Sequence, residues 1–402
     1  MKSSRATANF IWNMVGTGIN CAMSFVYVIF ITRINGIDIA GMFSVCYALS
    51  FILYTFCNLG NRVYEVSDRV REDRQYMTLK LFACALTLVL SAVLCIVLRY
   101  ERTKSAVLLM LMVMRCIEAG SDTAYAVLQR QDRLDLVGIS YVLKNGITLA
   151  VFLLVDILTG SILLAAASMI VCTFLVFLLF DLLFSNRIAP LFSASTAGMS
   201  SLIRELLPFV AFSFVVVVIG NIPRLIADLR YTDEQMGFFT VIMMIPSVMA
   251  MLGQFVIQPC LNDLTVSFGA GDLRRFGRIT AGMFAVLTGC GVVAAVAARF
   301  LGPPVLGWIM GVDLSGYGFS MVIAIAAGVF QIFTTVLSNL LTVMRRTKKQ
   351  LLFYALTLVL EIAAVYAAVC TGDFTKVFLA YLAVMAAQFV LFGIYFLKAF
   401  RN

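Results

Sequence analysis

The sequence predicts an all-α polytopic membrane protein with about 12 transmembrane helices. Of its 402 residues, 62% are hydrophobic and 13% are charged, and the mean hydropathy is +1.00. A soluble domain carries about 25% charged and about 45 to 50% apolar residues. A helix needs about 20 mostly apolar residues to cross about 30 Å of hydrocarbon. The apolar residues therefore suffice for roughly a dozen such helices.

The composition also excludes several classes of protein. The chain has no histidine, which removes imidazole metal sites, Ser-His or Cys-His catalysis and histidine proton relays. No CxxC pair is present, and no Gly-rich phosphate loop is followed by Lys and Ser or Thr. The 10 cysteines lie in or beside apolar runs and are interpreted as small buried apolar residues. We therefore predict no enzyme, no catalytic residue, no metal site and no cofactor.

Charged and turn-forming interruptions divide the chain into twelve candidate helices. In the first half these are 8–32, 40–62, 77–98, 105–128, 136–155 and 160–184. In the second half they are 201–222, 236–260, 279–301, 316–342, 351–371 and 376–398. The first run is too long for the core of a signal peptide, so we interpret it as a retained first span. The longer stretch between helices, Glu65 to Tyr76, is mixed in charge and predicts a solvated loop.

The distribution of lysine and arginine predicts the topology. Twelve is an even number, so both termini lie on one side. With a cytoplasmic N-terminus, the inside segments hold 20 of the 30 cations, Lys80 among them, and the outside segments hold 8. The remaining two, Arg115 and Lys144, fall within helices. Because positive charge concentrates on cytoplasmic segments, we predict that both termini are cytoplasmic. The net charge of +9 then marks the membrane surface, with no nucleic-acid partner.

The two halves of the chain resemble each other. After Arg33 comes Gly41-Met42-Phe43-Ser44-Val45, and after Arg224 comes Gly237-Phe238-Phe239-Thr240-Val241; a basic loop follows each. Chance similarity between apolar segments is the alternative, but internal repeats are frequent in transporters. We predict an N-terminal six-helix lobe at 1–185, a cytoplasmic linker at 186–200 and a C-terminal six-helix lobe at 201–402.

The fourth predicted helix contains three charged residues: Arg115, Glu118 and Asp122. Spacings of three and four place them on one helical face. An ionisable side chain near the bilayer centre costs about 2.5 to 3.5 kcal/mol on insertion scales, so this face must contact protein or water. It is either an ion-paired face that braces the bundle or the wall of a hydrophilic cavity.

Two further cations are candidates for the same cavity. Arg62, at the end of the second helix, is either a headgroup anchor or a binding residue. Lys144 lies too deep to reach the headgroups easily, which favours a cavity or a carboxylate partner such as Glu118 or Asp122.

Asparagines in the first helix offer neutral polar groups on nearly one face. These residues are Asn9, Asn13 and Asn20. They either link helices through hydrogen bonds or line the cavity, and we include Asn13 among the candidate binding residues.

In the second half, the candidate residues are Arg224, Asp228 and Glu361. Asn221, Arg224 and Asp228 share one face if the seventh helix continues past Pro223, and Asp228 is then a natural partner for Arg224. Glu361 stands alone at the centre of the eleventh helix. An isolated carboxylate there is either hydrogen-bonded and protonated, or a site for a proton or cation.

The predicted cavity holds several cations and few anions, which suits an anionic cargo such as a pyrophosphate headgroup. Short motifs also carry a family resemblance. They are Ile31-Thr32-Arg33-Ile34-Asn35-Gly36, Gly41-Met42-Phe43, Asn61-Arg62-Val63-Tyr64-Glu65-Val66-Ser67-Asp68, Gln129-Arg130-Gln131-Asp132-Arg133-Leu134-Asp135, Leu207-Pro208 and Asn221-Ile222-Pro223-Arg224. With them the chain resembles the Wzx-type polysaccharide flippases of the multidrug/oligosaccharidyl-lipid/polysaccharide (MOP) exporter superfamily.

That resemblance implies a flippase in the bacterial cytoplasmic (inner) membrane. Its substrate would be an undecaprenyl-pyrophosphate-linked oligosaccharide repeat unit, moved by alternating access of two lobes. Arg33, Arg62 and Arg224 would be family arginines. The implied partners are the lipid-linked substrate, membrane lipid and assembly proteins such as a polysaccharide polymerase. A coupling H⁺ or Na⁺ would act through Asp122 or Glu361.

Two other functions stay open at this stage. A cation-coupled small-molecule or multidrug exporter of the same superfamily would transport cationic dyes and depend on Asp122 or Glu361. A membrane assembly component without a transport cycle would tolerate loss of the cavity charges.

Overall fold

The computed structural model describes residues 2–59, 62–68, 71–191, 198–346 and 349–401. The residues it describes form helices and no strands, which confirms the predicted all-α membrane fold. Asn61, Arg69, Lys348 and part of the predicted linker, 192–197, lie outside them.

The helices of the first half follow one another with short connections. They are α1 (Lys2–Asn35), α2 (Ile37–Cys57), α3 (Arg62–Ser67), α4 (Asp73–Val97), α5 (Arg102–Arg130), α6 (Leu134–Thr159), α7 (Ile162–Val176) and α8 (Leu182–Ser185). A π-helical segment, Phe177–Asp181, joins α7 to α8 without a break. Such segments insert a residue into a helix and are frequent at functional sites.

The second half begins with a helix that continues through Pro223. Its helices are α9 (Met199–Asp228), α10 (Asp233–Gly269), α11 (Leu273–Phe300), α12 (Gly302–Met310), α13 (Gly318–Val343), α14 (Gln350–Val369) and α15 (Phe374–Arg401). Capping fixes several starts: Thr232 and Gln235 form a capping box at α10, and Asp272 accepts a hydrogen bond from the Arg275 amide at α11.

Each of the twelve predicted helices overlaps a long helix of the structure. Ten helices in the described part of the chain are long and apolar enough to span a membrane. The other two long helices are α5 and α10. The sequence did not predict the short helices α3 and α12. The count of twelve spans and the side of the termini stay predictions.

Apolar side chains cover the outer faces of these helices. On α4, Leu86 and Ile96 are 69% and 76% exposed. A water-soluble surface would not carry such a continuous apolar face, whereas hydrocarbon accepts it because lipid tails are as apolar as leucine. The chain is therefore a multi-pass membrane protein.

The chain divides into two compact units, Met1–Val217 and Val218–Asn402. In the first, α5 packs against α2, α4 and α7. Most of α5 is buried, including Arg115, Ser121, Asp122 and Thr123. This least apolar of the long helices thus lies inside the unit, where protein partners rather than lipid surround its charges. The predicted lobes at 1–185 and 201–402 stay a prediction.

The prediction of a solvated loop for Glu65 to Tyr76 is wrong for its two ends. Glu65 is 3% exposed and Tyr76 is 2% exposed. The Tyr76 hydroxyl donates a hydrogen bond of 2.6 Å to Asp68 Oδ2. Helix α3 folds back against α5, which buries one face of a segment whose composition alone indicates a surface loop.

In the second unit, α13 packs against α15, α10 and α11. Its inner face is lined with small and branched residues such as Ala324, Ala327 and Val336. Phe284, Phe330, Phe333 and Phe389 contact one another beside it with ring centroids 5.0 to 6.3 Å apart. These four rings are partly buried, and their contacts add to the apolar packing on this side of the unit.

Helices α1 and α6 touch backbone to backbone at a pair of glycines. A Cβ at Gly16 would lie 2.7 Å from Gly138 Cα, and a Cβ at Gly138 would overlap the Trp12 carbonyl. Small residues allow this close approach in membrane helices, where packing rather than the hydrophobic effect drives association.

We expect Gly138→Ala to destabilise the protein by about 1 to 3 kcal/mol or more, because the added methyl group meets backbone that cannot rotate away. The measurement is the midpoint of thermal unfolding in detergent. Gly146→Ala on the same helix is the matched control, since nothing lies within 4 Å of its Cβ position. Equal midpoints for the two variants would contradict the close contact.

Candidate functional site

Arg115 lies at the centre of the first unit in an aromatic cage from α2. Its guanidinium carbon is 4.6 Å from the ring centroid of Tyr47, 5.5 Å from that of Phe51 and 5.8 Å from that of Tyr54. The three rings recur at spacings of four and three, which places them on one face of α2. Arginine binds aromatic faces through cation–π contacts that strengthen where water is excluded.

One nitrogen of the Arg115 guanidinium forms a hydrogen bond with a carboxylate. Nη1 donates to Glu118 Oε2 at 2.6 Å. Nε and Nη2 are buried and have no hydrogen-bond partner among the described residues. These two nitrogens form the edge that binds carboxylate or phosphate oxygens in bidentate fashion. This buried edge is therefore a candidate anion-binding group.

A second group of charges joins α3, α4 and α5. Lys80 Nζ lies 3.0 Å from Glu65 Oε2 and 3.7 Å from Asp122 Oδ2, and Arg62 Nη1 lies 3.6 Å from Asp122 Oδ1. Burial raises the pKa of the Glu65 carboxyl, and the charge of Lys80 opposes that rise. Lys80, counted from the sequence as a cytoplasmic surface charge, is 2% exposed and belongs to this group.

Lys144 uses all three of its donors inside the unit. Its Nζ donates to Ser121 Oγ at 2.7 Å, to the Tyr125 hydroxyl at 2.9 Å and to Asp181 Oδ2 at 3.0 Å. An ammonium group has three donors and no acceptor, so none is left for a ligand. The sequence suggested Glu118 or Asp122 as its carboxylate partner, and this was wrong: the partner is Asp181 in the π-helical segment.

The Tyr125 ring connects the two groups of charges. Arg62 lies 5.7 Å from its centroid and Lys144 lies 5.2 Å from it. The Ser140 hydroxyl donates to Asp181 and forms a hydrogen bond of 2.7 Å with the Tyr125 hydroxyl. Phenol, hydroxyl and carboxylate thus form one buried polar chain, which stays stable in low dielectric only because its members satisfy one another.

The prediction of many cations and few anions does not hold for this unit. Four cations and four anions form three groups of ion pairs in this unit, and we call them together the charged network: Arg62, Lys80, Arg115 and Lys144 with Glu65, Glu118, Asp122 and Asp181. Sequence spacing missed Glu65 and Asp181 because both reach their partners from other helices. The network therefore has no excess of positive charge, and the Nε–Nη2 edge of Arg115 is its candidate anion-binding group.

The asparagines of α1 link it to α6 and to the loop before it. Asn9 donates to the Asp132 carbonyl at 2.8 Å, and Asn145 donates to Asn20 at 3.1 Å. Asn13 is half-buried, and its backbone lies against Gly138. For Asn9 and Asn20 the structure supports helix linkage.

The motif around Tyr64 connects α3 to the start of α9. The Tyr64 hydroxyl donates to Glu205 Oε2 at 2.6 Å, and this bond raises the pKa of Tyr64. Arg71 donates to both oxygens of the same carboxylate, at 2.6 and 3.0 Å, which raises the pKa of its guanidinium. In the loop after α5, Asp135 likewise raises the pKa of Arg133.

Arg33 lies in the last turn of α1, a helix that contributes no residue to the charged network. It is exposed. Beside it, Asn35 donates to the buried Asp156 at 3.0 Å. The assignment of Arg33 to the substrate site stays a prediction.

In the second unit, α9 continues past Pro223 as expected. The Arg224 Nε is buried and has no hydrogen-bond partner among the described residues, and its pairing with Asp228 stays a prediction. Glu361 is fully buried, and neither carboxylate oxygen has a hydrogen-bond partner within the described part of the chain. Tyr381 interacts electrostatically with both Arg224 and Glu361, and its hydroxyl donates to Gln331 Oε1 at 3.3 Å.

Comparison of the sequence with models of known protein families identifies the family of this chain. A family model described as "Polysaccharide biosynthesis protein" matches residues 6–264. The chain belongs to this polysaccharide biosynthesis protein family. No curated protein sequence matches it.

Solved structures show the fold of this family member. It is similar to an inward-facing multidrug resistance MATE family transporter of the MOP superfamily, with a TM-score of 0.70, 12% identity and 99% of each chain covered. It is similar to the lipid II flippase MurJ in an inward closed conformation, with a TM-score of 0.70, 12% identity, and 96% and 87% of the two chains covered. A MOP superfamily transporter from Pyrococcus furiosus, whose binding pocket is described as having reverse polarity, gives 0.55 at 12% identity over 99% and 96%.

These likenesses confirm the resemblance read from the sequence. This member of the polysaccharide biosynthesis protein family has the fold of MOP superfamily transporters and flippases, and the proteins it resembles are not enzymes. At 12% identity they carry no information about its substrate.

Proposed function

We propose that the chain is a flippase that translocates an undecaprenyl-pyrophosphate-linked oligosaccharide repeat unit across the bacterial cytoplasmic membrane for surface polysaccharide biosynthesis. One observation carries the proposal: the Nε–Nη2 edge of Arg115 is buried, unpartnered among the described residues and held by three aromatic rings. A planar fork of this kind fits two phosphate oxygens. The polysaccharide biosynthesis family supplies the class of cargo.

The aromatic cage and Glu118 fix the orientation of the Arg115 guanidinium in the proposed headgroup site. With Glu118 on Nη1, the guanidinium cannot turn, so only its opposite edge is offered to an incoming anion. Arg62 adds a second donor, since its Nη1 is buried and makes no hydrogen bond within the described residues. Lys144 positions Asp181 and Tyr125 in this proposal and does not touch the cargo. Asn13 is proposed to meet sugar hydroxyls.

A reconstitution experiment tests this function. The purified chain is placed in liposomes with a fluorescent lipid pyrophosphate oligosaccharide, and exposure of the sugar on the opposite leaflet is measured. We expect protein-dependent translocation of the pyrophosphate lipid. The competing function is that of a cation-coupled small-molecule exporter. Accumulation of a cationic dye without lipid translocation would replace the flippase by a small-molecule exporter.

We further propose that Glu361 takes up the coupling H⁺ or Na⁺. A fully buried carboxylate with neither oxygen partnered among the described residues is too costly to stay charged and bare. Protonation or a bound cation removes that cost. This second role is independent of the anion edge because it lies in the other unit.

Glu361→Gln is expected to keep the fold and to make transport insensitive to the H⁺ or Na⁺ gradient, because the amide is an uncharged isostere. The measurement is lipid translocation in liposomes with and without each imposed gradient. Glu234→Gln, an exposed position at the start of α10, is the matched control and should respond as the wild type does. A gradient response preserved in Glu361→Gln would exclude Glu361 as the coupling residue.

A further inference from the structure

Three cysteines from three different helices meet inside the first unit. Cys57 ends α2, Cys84 lies on α4 and Cys116 lies on α5. Their sulfur atoms all lie within 4.8 Å of one another. Cys57 and Cys84 are buried and Cys116 is partly buried. Spacings of 27 and 32 residues form no sequence motif, which is why the sequence predicted only small apolar residues and no metal site here.

The partners that these thiols have in the protein are weak. The Cys57 sulfur lies 2.9 Å from the Thr87 hydroxyl. Cys84 and Cys116 each point a thiol at the other's backbone carbonyl, at 3.8 and 3.9 Å. Thiols are weak donors and weak acceptors. Nothing in these contacts would prevent the three sulfurs from turning toward a common centre.

The size of the cluster suits a metal ion. A metal–sulfur bond is about 2.3 Å long, so three sulfurs around one ion in a plane lie about 4.0 Å apart. No two of the three sulfurs are more than 4.8 Å apart, so one ion could reach all three without a large movement of the helices. Thiolates select soft ions such as Cu(I). The chain has no histidine to supply a fourth, harder ligand.

We propose that Cys57, Cys84 and Cys116 bind one soft monovalent metal ion, Cu(I). Three thiols and one Cu⁺ give a complex of one thiolate and two thiols with release of one proton to water. That complex is neutral, which matters because an uncompensated charge in the hydrocarbon region is costly. Zn²⁺ would keep a net positive charge after the same proton loss and prefers four ligands. The bound ion would cross-link α2, α4 and α5.

Anaerobic titration of the purified full-length chain tests the site. Cu(I) is supplied from its complex with the chelator bathocuproine disulfonate, and transfer to the protein is followed by absorbance. The triple variant C57S/C84S/C116S is expected to bind one Cu(I) fewer per chain than the wild type. C95S/C172S, which removes two buried cysteines elsewhere, is the matched control and should bind as the wild type does.

X-ray absorption of the wild type with one Cu(I) bound keeps the proposal falsifiable if the triple variant does not fold. We expect a first shell of three sulfur atoms. Equal Cu(I) binding by the wild type and the triple variant would overturn the site. A first shell of two sulfurs, or one containing oxygen, would overturn it as well. None of these outcomes depends on the flippase activity.

Discussion

Arg115→Lys is expected to reduce lipid translocation by about 30-fold or more while leaving the protein folded. Lysine keeps the charge but cannot offer two parallel N–H groups to a phosphate. Removing one partner of a buried, hydrogen-bonded charge pair costs about 2 to 5 kcal/mol, and about 1.4 kcal/mol corresponds to tenfold in an equilibrium constant. The measurement is the initial rate of translocation in liposomes at equal protein density.

A double variant distinguishes a role of Arg115 in binding the headgroup from a role in neutralising Glu118. If Arg115 served only to neutralise Glu118, then Arg115→Met with Glu118→Gln would remove both charges and restore function. We expect this pair to restore thermal stability and to leave translocation as low as in Arg115→Met alone. Wild-type translocation by the double variant would contradict the role of Arg115 in binding the headgroup. Lys376→Met, a cation assigned from the sequence to an outside segment, controls for loss of a positive charge.

Lys144→Met is expected to lower stability by about 3 to 5 kcal/mol, because it leaves Asp181 buried with an unpaired charge. Asp181 is 0% exposed and Lys144 is 6% exposed, so neither charge can reach water without local unfolding. Asp181→Asn should lower stability by a similar amount, because it leaves the charge of Lys144 buried and unpaired. The midpoint of thermal unfolding, measured by loss of the monodisperse peak in size-exclusion chromatography, reports both effects.

Removing both charges should recover most of the loss, since a buried ion pair replaced by neutral residues of similar volume is often no less stable. The variant K144M/D181N is therefore expected to unfold near the wild-type midpoint and to translocate lipid. A stable but inactive double variant would instead show that Lys144 contacts the cargo. A single variant Lys144→Met as stable as the wild type would contradict the ion pair itself.

Local sequence spacing predicted part of the site and its long helices, but not the short helix α3. Arg115, Glu118 and Asp122 share a face because three and four residues are close to one helical turn, and the structure places that face inside the unit. The positions where helices begin and end followed from charged and turn-forming residues. These properties belong to a single helix, so they can be read without knowledge of its neighbours.

The partners of those charges could not be predicted in the same way. Asp181 meets Lys144 across 37 residues, and Glu65 meets Lys80 only because α3 folds back onto the unit. The sequence did not predict that Tyr47, Phe51 and Tyr54 belong to the site. Pairings of this kind depend on tertiary packing, which residue spacing along one helix does not encode.

The equal numbers of cations and anions in the charged network bear on how the protein responds to the membrane potential. Moving one elementary charge across the membrane is worth about 2.3 kcal/mol per 100 mV. The four positive and four negative side chains of the network cancel when all are ionised, so the network itself contributes little gating charge. In the flippase proposed above, the anionic headgroup would then carry the charge that moves, and an interior-negative potential would favour its outward movement.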